Sequence, residues 1–301
     1  MIEVEKFLSE NNYKNVKYDE PLSKHTTFRV GGKARIVVTP RSKRKIINLI
    51  LFLKKKEIPF KVFGNGSNIL PSDKDYEGVV IKTNQALKYM KVKDEEVVVG
   101  AGYSLVKLAH DIIEYELEGL EFFGGIPGTM GGAIYMNAGA YNKETKDVVL
   151  EVLLINNQGE LVIYTNKDLK YSYRKSILQK EQPLLIIEAK LKLKKGNKDN
   201  ITDILKQRKV RRQQTQPLEY PSGGSTFRNP NGINAYLLID RAGLRGYVIG
   251  GAKVSEKHCN FIINYDKAKS KDVKDLVDYV INNVYQTTGK RLKPEIEFFN
   301  W

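Results

Sequence analysis

The chain has 301 residues, of which 41% are hydrophobic and 28% charged, and its formal net charge is +15. This balance is typical of a globular rather than a disordered chain, and the length favours two or three lobes over one compact core. One cysteine, Cys259, excludes an internal disulfide, while the charged start and the absence of a long apolar run predict neither a signal peptide nor a membrane span.

The first hundred residues predict short helices and strands. A helix precedes residue 20, and residues 27–40 read as a strand, a glycine turn and a second strand. Strands are expected at 58–63, 78–83 and 87–102, the last folded into a hairpin at 93–96. Ser42 is a suitable N-cap for a helix between them. The predicted apolar face of that helix comprises Ile46, Ile47, Ile50, Leu51 and Leu53.

Ser104 is a second predicted N-cap, before an amphipathic helix with Leu105, Leu108, Ala109, Ile112 and Ile113 on one face. Strands follow at 149–156, 159–165 and 184–196. Residues 194–200 read as a linker, and residues 203–217 as a charged helix ended by proline. A last helix places these residues on one face: Val273, Leu276, Val277, Val280, Ile281 and Val284. The predicted class is α+β.

Two glycine-rich segments carry the strongest functional signal. The first, residues 63–70 (FGNGSNIL), follows a predicted strand, and its main-chain N–H groups could form an anion-binding nest. The second, residues 124–142, is rich in glycine and has no charged side chain, which suits a flat, polyphosphate-linked cofactor lying against bare backbone. A plain turn and a buried connection are the structural alternatives. Neither segment matches a dinucleotide-binding Rossmann fingerprint or a P-loop.

Six stretches in this order resemble the UDP-N-acetylenolpyruvoylglucosamine reductase (UDP-N-acetylmuramate dehydrogenase) family. They are HTTFRVGGKA, FGNGSNIL, GLEFFGGIPGTMGGAIYMNAGAY, YSYRKS, PSGGSTFRNP and IGGAKVSEKHCNFIIN, within residues 20–297. The chain resembles the shorter class of this family, which lacks an extra loop whose tyrosine closes over the substrate.

The resemblance implies a two-subdomain FAD-binding fold of the vanillyl-alcohol oxidase type, followed by a C-terminal α+β substrate domain. The predicted boundaries are 1–85 and 86–198 for the FAD-binding subdomains and 199–301 for the substrate domain. It further implies noncovalent FAD, NADPH as reductant, a cytoplasmic bacterial enzyme of peptidoglycan precursor synthesis, and UDP-N-acetylenolpyruvoylglucosamine as substrate. We expect a monomer. The predicted cofactor contacts are Gly64, Asn65, Gly66, Ser67, Asn68, Gly125, Ile126, Pro127, Gly128, Thr129, Gly132, Ala133, Asn137 and Gly139.

The implied reaction delivers hydride from reduced flavin to the vinyl carbon of an enolpyruvyl ether, and the neighbouring carbon is then protonated. Such a site needs a cation for the carboxylate and a proton donor. Arg174, in YSYRKS, matches the family's catalytic arginine, and its planar fork suits a carboxylate in two-point contact. Tyr173 beside it is a predicted substrate contact, with a packed aromatic as the alternative.

Ser225, in SGGSTFRNP, matches the family's proton donor. A serine hydroxyl serves this role only when it is held beside the carbanion-like centre. Asn229 is a candidate for the substrate's phosphates or sugar, or else a turn residue before a proline. Glu295, in LKPEIEFF, matches the last catalytic acid, which would donate a hydrogen bond to the enolate when protonated. Glu297 is the fallback, because the ending departs from the usual family pattern.

The three histidines have no metal-ligand spacing, so no metal site is predicted. Ser255, in VSEKH, is a predicted substrate contact under the resemblance, and an ordinary turn is the alternative. His258 and Cys259 are adjacent on a predicted strand and therefore point to opposite faces, which argues against a nucleophilic pair.

Two rival functions follow from the same sequence. One is an oxidase of the same flavin fold with another substrate. The other is a nucleic-acid binder, which the charge of +15 suggests. The densest basic clusters, at 41–45 and 206–212, have no interleaved aromatic residues and match no nucleic-acid-binding motif, so we expect neither a nucleic-acid nor a membrane partner.

Overall fold

A computed structural model describes residues 1–301, with the side chain of residue 231 excepted. The chain forms two compact units, each built from three segments. The first comprises Met1–Asp19, Arg35–Asn65 and Glu77–Lys209, and the second comprises Glu20–Ala34, Gly66–Tyr76 and Val210–Trp301. The predicted three-domain division at residues 85 and 198 stays a prediction.

Helices and strands are mixed along the whole chain, as the α+β class requires. The helices are α1 Ile2–Glu10, α2 Lys43–Lys55, α3 Leu105–Asp111, α4 Met130–Met136, α5 Leu178–Glu181, α6 Lys198–Thr215, α7 Ala235–Arg241 and α8 Ser270–Thr288. The strands are β1 Val16–Pro21, β2 Lys33–Val38, β3 Phe60–Phe63, β4 Ile69–Pro71, β5 Tyr76–Lys82, β6 Met90–Lys93, β7 Glu96–Gly100, β8 Leu117–Glu118, β9 Gly139–Ala140, β10 Lys143–Glu144, β11 Val149–Ile155, β12 Leu161–Thr165, β13 Leu185–Lys192, β14 Lys194–Lys195, β15 Val248–Ile249, β16 Ala252–Val254, β17 Ile262–Asn264 and β18 Glu297–Phe299.

The first unit is built on two sheets. One has the strand order β1-β2-β5-β3, in which β3 and β5 run parallel and Phe63 pairs with Lys82. The other has the order β12-β11-β13-β7-β6, and its neighbouring strands are antiparallel. Strand β3 of the parallel pair leads directly into the first glycine loop.

Helix α2 begins as predicted, and three of the five residues predicted for its apolar face, Ile46, Ile50 and Leu53, are buried. The Ser42 hydroxyl accepts a hydrogen bond from the main-chain N–H of Lys45, as an N-cap does. The buried face contains Leu49, whereas Leu51 is 38% exposed, so the prediction for Leu51 is wrong. A helix turns by about 100° per residue, so two positions along the chain separate opposite faces.

Helix α3 and its neighbourhood confirm the prediction more closely. Ser104 caps the helix through the N–H of Lys107, and all five predicted apolar residues are buried.

The predicted linker at 194–200 is wrong, because these residues form β14 and the first turn of α6. A short run of polar and charged residues with one glycine is typical of a loop, but the pairing of β14 with β8 orders its first residues.

In the second unit, α8 packs against the small antiparallel sheet β15-β16-β17, and α7 packs against α8. The predicted face of α8 is confirmed: Val273, Leu276, Val277, Val280 and Val284 are buried and Ile281 is half-buried. Strand β18 pairs in parallel with β4, so the end of the chain lies beside the residues that follow the first glycine loop. Among the described residues, no helix combines the length and apolar character that crossing a bilayer requires.

Candidate functional site

The two glycine segments meet in the first unit. The side-chain amide of Asn65 donates hydrogen bonds to the carbonyl oxygens of Pro127, at 2.9 Å, and Gly128, at 3.3 Å. A Cβ atom at Gly64 would stand 2.2 Å from the Thr129 Oγ1, so only glycine allows this approach. Residues 64–65 and 127–129 therefore form one backbone surface, which we call the double loop.

The double loop carries main-chain N–H groups that the protein itself does not use. Among the described residues, none accepts a hydrogen bond from the N–H of Gly64, Asn65, Gly128 or Thr129. Thr129 also stands immediately before α4, where the first N–H groups of a helix lack partners within it. Free amides in a closely approachable backbone form a binding surface for an anion such as a diphosphate.

Close packing holds the second glycine segment in this shape. The N–H of Met130 donates to the Tyr103 carbonyl and that of Gly131 to the Ala101 carbonyl, at 2.9 and 2.8 Å. A Cβ atom at Gly131 would stand 3.0 Å from that of Ala101. The second glycine segment therefore lacks bulky side chains for two reasons. Residues 127–129 leave their backbone open, and residues 130–131 pack closely against the backbone of residues 101–103.

Asn137 serves the interior of the first unit. It is fully buried, ends α4 and adopts a left-handed conformation with φ +46°. Its side-chain amide donates to Glu144 and to the carbonyl oxygen of Ser172, each at 3.0 Å, while its oxygen accepts from the N–H of Lys146. These bonds explain why an asparagine stands here, and its contact with a cofactor stays a prediction.

Arg174 lies in the first unit beside the β9–β10 hairpin. Its Nη2 donates to the Gly139 carbonyl oxygen at 2.7 Å, and its Nη1 lies 3.7 Å from Oε1 of Glu144. The guanidinium lies over the Tyr173 ring at 4.9 Å. Arg174 has φ +54°, a conformation that costs a non-glycine residue about 1 kcal/mol or more. The surrounding contacts hold this strained residue in one place.

Glu144 is a neighbour of Arg174 that the sequence did not reveal. Besides Arg174, its carboxylate accepts from Lys146 Nζ and Asn137 Nδ2, each at 3.0 Å. The hydrogen bond to this carboxylate raises the pKa of the Lys146 ammonium. Strands β9 and β10 pair Glu144 with Gly139, whose carbonyl oxygen binds Arg174, so Glu144 lies near the guanidinium. No local sequence pattern predicts this register.

The tip of the same hairpin holds a second arginine. Tyr141 and Asn142 both adopt left-handed conformations, and the Arg208 guanidinium lies over the Tyr141 ring at 4.4 Å. The Nη1 of Arg208 is buried and has no hydrogen-bond partner among the described residues. Sequence reasoning placed Arg208 only within a basic cluster on a solvated helix.

In the second unit, the first glycine loop continues as Gly66–Asn68. A Cβ atom at Gly66 would stand 2.1 Å from the His25 carbonyl oxygen, and φ is +67°, so glycine is required. The Asn68 side-chain amide donates to the main-chain carbonyl of Glu295 at 3.0 Å. Two predicted site residues from distant parts of the sequence are thus in direct contact.

Ser225 and Glu295 also lie close together in the second unit. The N–H of Glu295 donates to the carbonyl oxygen of Thr226, the residue after Ser225, at 2.8 Å. Thr226 is fully buried, and its N–H donates to the Asn260 carbonyl oxygen at 2.7 Å. The side chain of Asn260 in turn forms two hydrogen bonds with the main chain of Phe227. The main chain around Ser225 is therefore tightly fixed.

The two predicted substrate contacts of the second unit, Asn229 and Ser255, make local bonds. The Asn229 side-chain oxygen accepts from the N–H of Ala235, the first residue of α7, at 2.9 Å. The Ser255 hydroxyl is buried and accepts from the N–H groups of Lys257 and His258. Their roles toward a substrate stay predictions.

His258 and Cys259, which follow Ser255 by three and four positions, are both shielded from solvent to a large extent. Burial lowers the pKa of His258, whose ring packs against Tyr236 and Phe261. Burial also raises the pKa of the Cys259 thiol, which disfavours the thiolate that a nucleophile needs. Within the part of the chain that the structure describes, no cluster of three metal-binding side chains is present.

Comparisons with known proteins match both units. The FAD binding domain family matches residues 34–165, and the UDP-N-acetylenolpyruvoylglucosamine reductase C-terminal domain family matches residues 216–299. The reductase of that name from Anoxybacillus flavithermus is 43% identical over 290 residues, which cover 96% of each chain. The one from Caldanaerobacter subterraneus subsp. tengcongensis is 45% identical over 279 residues, covering 93% of this chain and 92% of its own.

A solved structure agrees with the sequence comparisons. The crystal structure of the UDP-N-acetylenolpyruvylglucosamine reductase from Thermus caldophilus superposes with a TM-score of 0.77 at 33% identity. The match covers 93% of this chain and 97% of that one.

Proposed function

Since the chain belongs to the UDP-N-acetylenolpyruvoylglucosamine reductase family, a family of FAD-dependent oxidoreductases, we propose that it reduces UDP-N-acetylenolpyruvoylglucosamine to UDP-N-acetylmuramate with electrons from NADPH. The relatives carry the substrate in their names and span almost the whole chain. The single cysteine is buried, which fits the reducing cytoplasm in which we place the reaction.

The double loop is the observation that carries this proposal. It offers unused N–H groups on a backbone kept open by Gly64, and it lies within the range matched by the FAD binding domain. These residues fit the diphosphate of FAD without any side-chain charge of their own. When bound, FAD supplies the hydride carrier between NADPH and the vinyl carbon of the substrate.

Arg174 in this proposal binds the carboxylate of the enolpyruvyl group. The Gly139 carbonyl fixes one arm of its guanidinium, and Glu144 lies beside the other. A guanidinium positioned before substrate arrives stabilises the negative charge that builds on the carboxylate side during reduction, without reorganising at that moment. The left-handed backbone of Arg174 fits a residue held for function.

Ser225 in this proposal donates the proton to the carbon next to the reduced one. Its neighbour Thr226 is anchored on Asn260 and Glu295, so the main chain carrying the serine is rigid. Rigidity matters because a serine hydroxyl is a weak acid and acts only when it is aligned with the carbon. Glu295, in its protonated form, donates a hydrogen bond to the enolate-like oxygen, and its main-chain carbonyl accepts from Asn68.

The test is turnover with the enolpyruvyl nucleotide in the absence of oxygen. We expect one lactyl ether formed for each NADPH oxidised. Oxygen consumption with another substrate, and none of this product, would favour the oxidase alternative. A flavin-free protein with steeply salt-dependent affinity for DNA would favour the nucleic-acid alternative.

A further inference from the structure

Lys82 is a buried lysine without a partner. It is 6% exposed, and its Nζ lies 5.8 Å from the centre of the Phe63 ring. No hydrogen bond or ion pair to this Nζ is present among the residues that the structure describes. Burial lowers the pKa of its ammonium to about 8. Burying an uncompensated charge is unfavourable, so a lysine at this position needs an explanation.

The place of Lys82 in the sheet connects it with the double loop. It is the last residue of β5 and pairs with Phe63, the last residue of the parallel strand β3. The N–H of Thr83 also donates to the Phe63 carbonyl oxygen, at 3.1 Å, so the two strands stay side by side at their ends. Gly64 follows Phe63 directly, so the carboxyl ends of both parallel strands lie beside the start of the double loop.

We propose that Lys82 is the ion-pair partner of the diphosphate of the bound dinucleotide cofactor. The double loop supplies neutral N–H donors to an anion, but no positive charge of its own. Lys82 provides that charge from the strand end next to the loop, and it lies in a desolvated setting where an ion pair is strong. The Phe63 ring beside Nζ keeps water away from the cation and is attracted to it.

A diphosphate also occurs in the nucleotide-sugar substrate, and two facts favour the cofactor. Lys82, Gly64 and Thr129 all belong to the first unit. All three also lie within residues 34–165, the range that the FAD binding domain family matches. The inference therefore rests on the proposal that the double loop binds FAD.

The experiment compares Lys82→Met, Lys82→Arg and the exposed control Lys88→Met with the wild-type holoenzyme. Each is diluted serially, and recovered flavin fluorescence gives the dissociation constant for FAD. Because Lys82→Met loses a charged hydrogen bond, its dissociation constant for FAD should be about 10- to 100-fold higher than that of wild type. Lys82→Arg keeps the charge and should lie between it and wild type, while Lys88→Met should bind FAD as wild type does.

A second measurement separates the two sources of diphosphate. The affinity for UDP-N-acetylmuramate should be the same in wild type and in Lys82→Met. A loss of that affinity with FAD binding intact would overturn the assignment to the cofactor, and so would an unchanged FAD dissociation constant. A methionine variant that is insoluble or melts below the flavin-free wild type would show that Lys82 has a structural role, which also overturns it. A wild-type chain that binds no FAD would instead refute the proposed function.

Discussion

The unpartnered charge of Lys82 predicts an unusual pH dependence of stability. Burial moves the pKa of its ammonium from 10.5 to about 8. At about 1.4 kcal/mol for each pKa unit, carrying this charge should destabilise the flavin-free fold by about 3 kcal/mol at pH 7. Lys82→Met, which keeps an unbranched side chain of similar length, should therefore be more stable than wild type by about that amount.

The sign of the pH effect follows from proton binding. Between pH 8 and pH 10.5 the unfolded chain holds a proton on Lys82 that the folded chain has released, so wild-type stability rises with pH relative to the variant. The advantage of Lys82→Met should be complete below pH 8 and vanish near pH 10.5. Urea unfolding of flavin-free wild type, Lys82→Met and Lys88→Met, followed by circular dichroism at pH 7, 9 and 10.5, measures it. An advantage that does not depend on pH, or a less stable methionine variant, would refute the reasoning.

The proposed roles of Arg174 and Ser225, and the contact of Glu144 with Arg174, give three further predictions. Arg174→Lys should retain FAD but lower kcat on the order of 100-fold, because an ammonium cannot contact a carboxylate at two points. Steady-state kinetics measures this, and near-normal turnover would exclude carboxylate binding by Arg174. Ser225→Ala should leave reduction of the flavin by NADPH intact, while product formation falls roughly 100- to 10,000-fold. Stopped-flow measurement follows each half-reaction separately, and an equal loss in both would show that Ser225 is not the proton donor. Glu144→Gln should lower kcat about tenfold with unchanged FAD affinity, because the Arg174 guanidinium loses its anionic neighbour, and a change in FAD affinity alone would contradict this.

The sequence predicted features that depend on neighbouring residues. Ser104 and the apolar spacing after it are enough to define α3, because capping and helical periodicity act within a few residues. The glycine segments were recognised for the same reason, since close backbone approach leaves a local signature. The contact of Asn68 with Glu295, across 227 positions, was not predicted, although the resemblance implied a role for each residue separately.

The burial of Lys82 and the contact of Glu144 with Arg174 could not be predicted from neighbouring residues. A lysine near the end of a strand is ordinarily solvated, and its burial here depends on the parallel pairing of β5 with β3. Glu144 reaches Arg174 through the register of a two-residue hairpin and through the left-handed backbone of Arg174 itself. Both features arise from tertiary structure, so neither leaves a pattern in the residues around it.

The most direct test of the account is an anaerobic absorbance titration of the purified chain. We expect a yellow protein whose noncovalent FAD is bleached by NADPH and regains its colour when UDP-N-acetylenolpyruvoylglucosamine is added without oxygen. A colourless protein that takes up no FAD, or a reduced flavin that this substrate does not reoxidise, would contradict it.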